Sequence, residues 1–320
     1  MTLKQITLAV NDYCNNKCDV MCQIYKNAPI VKTGASEFTG MLRRQEFRDL
    51  QEVAITGGEP FMNVEHLNGV IEGMIEALPN LSWVFINTNG TYPERVGKFI
   101  EKFAGKVPKL TISISLEGTP EVHNKQRGVR SFELVMSTID VVSKSGRKNV
   151  TGSLSTTITL YNADVSELDY VRCVAEKNGF AHTFRMASKS GTYYHNENTG
   201  KDEQIPPKKV EEILAFIAQH YSEDPFQAMQ TRYLRTGQTG LKCTAGSDFA
   251  FVQADGKIYP CIFSTRVIGG KAEGVTTSVI TDLGKQEPCP CCTECAVYPM
   301  MNYGPSENRQ QRQEALIQLR

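Results

Sequence analysis

Residues 53–87 read VAITGGEPFMNVEHLNGVIEGMIEALPNLSWVFIN. This is an apolar run of strand length, a glycine-rich loop, an amphipathic helix and a second apolar run. Val53–Thr56 and Trp83–Asn87 have the β-branched and aromatic content of buried strands. Between them Val64–Leu78 carries a helical period, with Asn63 as its N-cap signal. Strands joined through a helix pair in parallel.

The same unit repeats in both directions. Further strands are predicted over Ile6–Val10, Lys109–Leu116, Ser153–Leu160 and Ala181–Met186. Helices are predicted over Arg43–Leu50, Pro93–Phe103, Ser131–Ser145 and Asp164–Asn178, the last with Gly179 at a C-cap position. Pro207–Tyr221 reads as a closing helix. Six strand–helix units fall short of the eight that close a full barrel. The predicted fold is therefore α/β, a partial (β/α)6 TIM-like barrel over residues 1–225. A small domain with a hairpin at Ala254-Asp255-Gly256 follows over 226–305, then a polar tail over 306–320. In such barrels the loops after the strands gather at one mouth. That brings together Cys14–Cys22, Gly57–Pro60, Asn87–Gly90 and Glu117–Arg127.

Composition narrows the function. Apolar residues make up 40% of 320, enough for a real core. Lys plus Arg equals Asp plus Glu at 35 each, so wrapping duplex nucleic acid by net charge is not expected. No apolar run approaches the roughly 18 residues of a membrane span. The N-terminus leads into a strand with no signal-peptide pattern, and a cytoplasmic protein is expected.

Nine of the ten cysteines fall in two sets, Cys14, Cys18, Cys22 and Cys243, Cys261, Cys289, Cys291, Cys292, Cys295. Clustering of this kind in a reducing compartment points to metal ligation. Cys173 lies in a helical pattern and reads as a packing residue. Soft thiolates select zinc or iron–sulfur clusters. Three local thiolates suit a cubane with one open iron; the competing reading is structural zinc completed by a distant ligand.

The ordered motifs carry a resemblance. Cys14-Asn-Asn-Lys-Cys18-Asp-Val-Met-Cys22 follows the first strand, Gly57-Gly58-Glu59-Pro60 the second and Asn87-Thr88-Asn89-Gly90 the third. After the fourth comes Ser115-Leu116-Glu117-Gly118, then His123 and Arg127-Gly128, with Glu117 where the related pattern has Asp. Over residues 5–190 the chain resembles the radical S-adenosylmethionine (radical SAM) superfamily. It departs in spacing, Cys-x3-Cys-x3-Cys where Cys-x3-Cys-x2-Cys is usual.

The resemblance implies a 4Fe-4S cluster on Cys14, Cys18 and Cys22 that binds S-adenosylmethionine, and a one-electron reductant such as a flavodoxin or ferredoxin. It implies S-adenosylmethionine contacts from Gly57, Gly58, Glu59, Asn89, Ser115 and Arg185. The second cysteine set is similar to the twitch form of the superfamily's auxiliary-cluster domains. Cys243, Cys261, Cys292 and Cys295 are the favoured ligands of a second 4Fe-4S cluster; Cys289 with Cys292 also has a suitable spacing, and a zinc ribbon is the alternative.

Candidate substrate contacts are Lys189, Tyr193, Tyr194 and His195 in the long polar segment 187–206, and Arg232 and Arg235 further on. They suit a polar, anionic small molecule. The Cys-x3-Cys-x2-Met-Cys motif resembles that of cytosylglucuronic acid decarboxylases of nucleoside antibiotic biosynthesis, which implies redox-neutral decarboxylation of a glucuronyl nucleoside. A dehydrogenase or peptide-modifying enzyme of the twitch type is the alternative. From another class, the alternative is a zinc-stapled binding module.

Overall fold

Alternating strand residues divide into an apolar set facing helices and a polar set facing inward. This division builds the architecture in the computed structural model, which describes residues 2–18, 20–197, 205–272, 303 and 306–319. The strands are β1 (Gln5–Ala9), β2 (Glu52–Thr56), β3 (Trp83–Thr88), β4 (Lys109–Ser115), β5 (Val150–Ile158), β6 (Ala181–Met186), β7 (Phe249–Val252) and β8 (Ile258–Tyr259). The helices are α1 (Ala35–Leu42), α2 (Val64–Ala77), α3 (Pro93–Phe103), α4 (Pro120–Arg127), α5 (Phe132–Ser143), α6 (Val165–Lys177), α7 (Pro207–His220), α8 (Pro225–Thr236) and α9 (Ser306–Leu319).

The strands form one sheet in the order β6-β5-β4-β3-β2-β1-β7-β8. All pairings are parallel except β7 with β8. This is the partial TIM-like barrel. Ile6, Leu8, Val53, Ile55, Val84, Ile86, Leu110 and Ile112 point outward and join Phe38, Phe61, Phe99 and Phe103 from the helical layer in the main core. Each buried side chain of this size stabilises the fold by roughly 1.5–3 kcal/mol. A second core joins Phe184 of β6 to α7 and α8 through Phe216, Ile217, Phe226 and Met229.

Three expectations change. The helix predicted over Arg43–Leu50 is only a 3-10 turn at Gln45–Phe47. Its apolar period reflects burial of Phe47 and Leu50, not helix. The true first crossover helix is α1, where the Gly34 amide donates to Glu37 Oε2 at 2.8 Å. Residues 120–127, read as part of a loop, form α4, with Pro120 in the first turn and Gly128 at φ 66 ending it. The tail helix α9 packs on α8, with Ala315 buried.

The hairpin turns at Gly256, φ 82. Its first strand pairs with β1, register Gln5↔Phe249, and so continues the barrel sheet at its free edge. Cys261 is thereby placed just beyond β8, at the β1 side of the barrel. No helix among the described residues is long and apolar enough to cross a membrane.

Candidate active site

Where β1 and β2 end, their loops are cross-linked backbone to backbone. Gly58 N donates to Asn11 O at 3.2 Å, and Glu59 N to Tyr13 O at 3.0 Å. Asn11 adds its side chain, accepting from Gly58 N at 2.9 Å and donating to Glu59 O at 2.8 Å. A Cβ on Gly58 would sit 1.9 Å from the Tyr13 carbonyl oxygen, so only glycine lets the loops approach this closely. Gly57 takes φ 151 in the same crowded turn.

This contact aims the cysteine loop into a cavity of about 690 Å³ that runs into the barrel. Cys14, Cys18 and Cys22 line it, together with Gly57, Gly58, Asn89, Ser115, Arg127 and Arg185. Each sulfur has a side-chain or backbone N–H near it. Asn89 Nδ2 lies 3.7 Å from Cys14, Arg127 Nη1 4.0 Å from Cys18 and Ile24 N 3.5 Å from Cys22. Three donors from three elements suit thiolate ligands. Without metal, burial pushes the Cys14 thiol up to about 11 and Cys22 up to about 12, and raises Cys18 as well. Metal binding must therefore displace protons.

The extra residue of the motif is accommodated around Met21. Its side chain turns inward and its sulfur accepts from Gln126 Nε2 at 3.2 Å, while its carbonyl accepts from Asn196 Nδ2 at 3.0 Å. Asp19, the residue flanking Cys18 in this segment, lies outside the described residues.

Among the described residues, no three His, Cys, Asp or Glu side chains are arranged to hold one metal ion. The three thiols face one cavity. A cubane would give each thiolate its own iron.

The sequence matches the radical SAM superfamily over residues 8–169. The chain belongs to the radical SAM superfamily. Similar folds include anSMEcpe with bound AdoMet and Cp18Cys peptide, at TM-score 0.67 and 17% identity, covering 100% of this chain and 97% of that one. Streptococcus suis SuiB bound to S-adenosylmethionine aligns at TM-score 0.62 and 14% identity, covering 87% of this chain and 66% of that one. At these identities the likeness is one of fold. A search of curated proteins finds no match.

Glu59 lies elsewhere than among the residues lining the cavity. Its carboxylate is fully buried. It accepts from Asn89 N at 2.6 Å, Thr88 Oγ1 at 2.9 Å and Phe61 N at 3.0 Å, tying the Gly-Gly-Glu-Pro loop to the Asn-Thr-Asn-Gly loop. The Gly57 carbonyl accepts from the Tyr193 hydroxyl at 2.9 Å. That hydroxyl also meets Thr56 Oγ1 at 2.5 Å.

Of the residues assigned to substrate, Tyr193 and Tyr194 line the cavity, and Arg185 stacks on the Tyr194 ring at 5.4 Å. Lys189, His195, Arg232 and Arg235 do not. Lys189 and His195 are exposed on a segment whose buried side faces the barrel. Arg232 donates to Gln311 Oε1 at 2.7 Å, because α8 carries it toward α9 rather than the mouth. Arg235 is exposed in the last turn of α8.

Arg127, not among the expected cofactor contacts, also lines the cavity, beside Cys18. The signal was its place in the Arg-Gly pair that ends α4. Cys173 is exposed rather than packed. Cys243 and Cys261 are half-buried beside the α7–α8 core. Cys289, Cys291, Cys292 and Cys295 lie outside the described residues.

Proposed function

We propose that Cys14, Cys18 and Cys22 hold the 4Fe-4S cluster that superfamily membership implies, and that S-adenosylmethionine binds beside it in the cavity. The observation that carries this reading is the set of three sulfurs, each with its own N–H donor, facing one cavity with Gly57, Asn89, Ser115 and Arg185. Held by these residues, the reduced cluster with S-adenosylmethionine would supply hydrogen-abstracting radical chemistry.

The chain's own residues place the ligands and exclude water. Arg185 is suited to the S-adenosylmethionine carboxylate through a bidentate contact. Ser115 lies at the end of β4 where it can meet the ribose. The inward row of the barrel offers Thr111, Ser153, Ser155, Thr157 and Thr183 to the rest of the cavity. Such a lining suits a small polyhydroxylated substrate, with Arg127 and Arg185 as the cations at the mouth among the described residues.

The reaction that matches the Cys-x3-Cys-x2-Met-Cys motif is redox-neutral decarboxylation of a glucuronyl nucleoside such as cytosylglucuronic acid. In the C-terminal segment, Cys243 and Cys261 with Cys292 and Cys295 are proposed to hold an auxiliary 4Fe-4S cluster in a twitch domain. The second reading, peptide modification, is favoured by the fold likeness over the whole chain to anSMEcpe, a protein seen with bound peptide.

Anaerobic reconstitution followed by dithionite and S-adenosylmethionine should yield 5′-deoxyadenosine. Cytosylglucuronic acid should then release carbon dioxide. Turnover of a peptide and not of any uronic-acid nucleoside would replace the first reading by the second.

A further inference from the structure

The three sulfur donors differ in charge. Asn89 Nδ2 and Ile24 N are neutral, whereas Arg127 brings a guanidinium to Cys18. Arg127 is 11% exposed and its partner Glu117 is 0% exposed. Glu117 Oε1 takes Arg127 Nη2, and Oε2 accepts from Gln126 Nε2 and Thr157 N, each at 2.9 Å. The carboxylate is thus fixed from α4 and β5, and it fixes the guanidinium in turn. Arg127 Nε finds no acceptor among the described residues.

A purely mechanical role for this side chain is redundant. The main chain already latches the cysteine loop to the end of α4, where Lys17 N donates to Arg127 O at 2.9 Å. Gly128 packs so closely there that a Cβ would lie 2.3 Å from Lys17 O. The guanidinium adds charge at a place where the loop is already held.

Charge at this place acts on reduction. Adding an electron to a thiolate-bound cluster adds one negative charge, and a nearby cation favours that form. Burial leaves the interaction poorly screened. Net charge, hydrogen bonds to sulfur and exposure are the terms that set such potentials.

We propose that Arg127 is a positioning residue that acts through Cys18 to raise the reduction potential of the cluster, with Glu117 limiting how far it is raised. The inference rests on the reading that Cys14, Cys18 and Cys22 hold that cluster. It gives opposite signs for the two partners, which a structural role does not.

The test is a redox titration of the anaerobically reconstituted full chain, followed by the electron paramagnetic resonance signal that a Cys14→Ala, Cys18→Ala, Cys22→Ala variant lacks. At the wild-type midpoint, Arg127→Gln should lower the ratio of reduced to oxidised cluster about tenfold, equivalent to about 59 mV for one electron. Arg127→Lys should recover most of the loss, and Glu117→Gln should raise the ratio. If Arg127→Gln fails to load iron, the upward shift in Glu117→Gln decides. Wild-type midpoints in the variants, or shifts of one sign at both residues, overturn the inference while the cluster assignment stands. A signal that survives in the triple cysteine variant overturns the assignment itself.

Discussion

The Glu59 carboxylate accepts the Asn89 backbone amide at 2.6 Å, and Asn89 in turn points its side-chain amide at the Cys14 sulfur 3.7 Å away. The loops after β1, β2 and β3 are therefore joined through one buried acid. Glu59→Ala should leave three donors, Asn89 N, Thr88 Oγ1 and Phe61 N, without their acceptor. Each such loss costs about 1–3 kcal/mol. Urea unfolding of the metal-free protein should show a loss of that size or more, and iron loading should fall with it. A variant of normal stability that binds iron normally would remove Glu59 from this role.

Gly58 makes the second prediction. A Cβ there meets a backbone oxygen at 1.9 Å, so the cysteine loop itself must move. Gly58→Ala is expected to destabilise the protein by more than about 2 kcal/mol and to lose iron. Gly40 is the control, an exposed helical glycine with nothing within 4 Å of its Cβ position. Gly40→Ala should stabilise by about 0.5–1 kcal/mol. Equal melting temperatures for the two variants would contradict the packing argument.

Iron content separates the cysteines. Replacing Cys14, Cys18 and Cys22 by Ala together should remove about four irons per chain and abolish 5′-deoxyadenosine formation. Cys173→Ala should change neither, since Cys173 is exposed on α6, away from the cavity. Retained 5′-deoxyadenosine formation in the triple variant would refute the ligand assignment.

The strands were legible because their periods and apolar content are local. All six barrel strands lie where the alternation placed them, to within a few residues. The crossover helix α1 was hidden because it is short and buries only Phe38, Met41 and Leu42, with Gly40 lowering its helix propensity, while Phe47 and Leu50 mimic a helix further on. α4 was hidden behind a motif reading, although Pro120 and Gly128 mark its ends. Pairings between distant segments were not legible. Nothing local says that β7 adds to β1, that Arg127 meets Glu117, or that α8 carries Arg232 to Gln311. The site was legible as a set of loops, but which side chains face the cavity depended on packing. Glu59 shows this best: its motif position is right and its carboxylate points away.

The last prediction concerns acid. His182 is buried between Thr156 Oγ1 at 3.0 Å and the Tyr221 hydroxyl at 2.6 Å. His123 is buried against Glu117 N at 3.3 Å and Ser131 Oγ at 3.1 Å. Burial holds both imidazoles down to about 3, against an ordinary 6.5. Between those values the unfolded chain takes up protons that the folded chain refuses, so stability is lost as pH falls below 6.5. Each histidine contributes a slope of about 1.4 kcal/mol per pH unit. Glu59 works in the opposite direction. Burial raises its carboxyl from 4.5 to about 7, so the folded chain holds the extra proton there and stability is lost as pH rises through that window. Differences between variants isolate these terms. From pH 6.5 down to 4.5, urea unfolding of metal-free His182→Gln should lose less stability than wild type, by about one histidine slope. Glu59→Gln should lose more, because the compensating proton is gone. The two variants must diverge from wild type in opposite directions as the solution is acidified. Parallel curves would mean that neither buried group changes protonation on unfolding in this range.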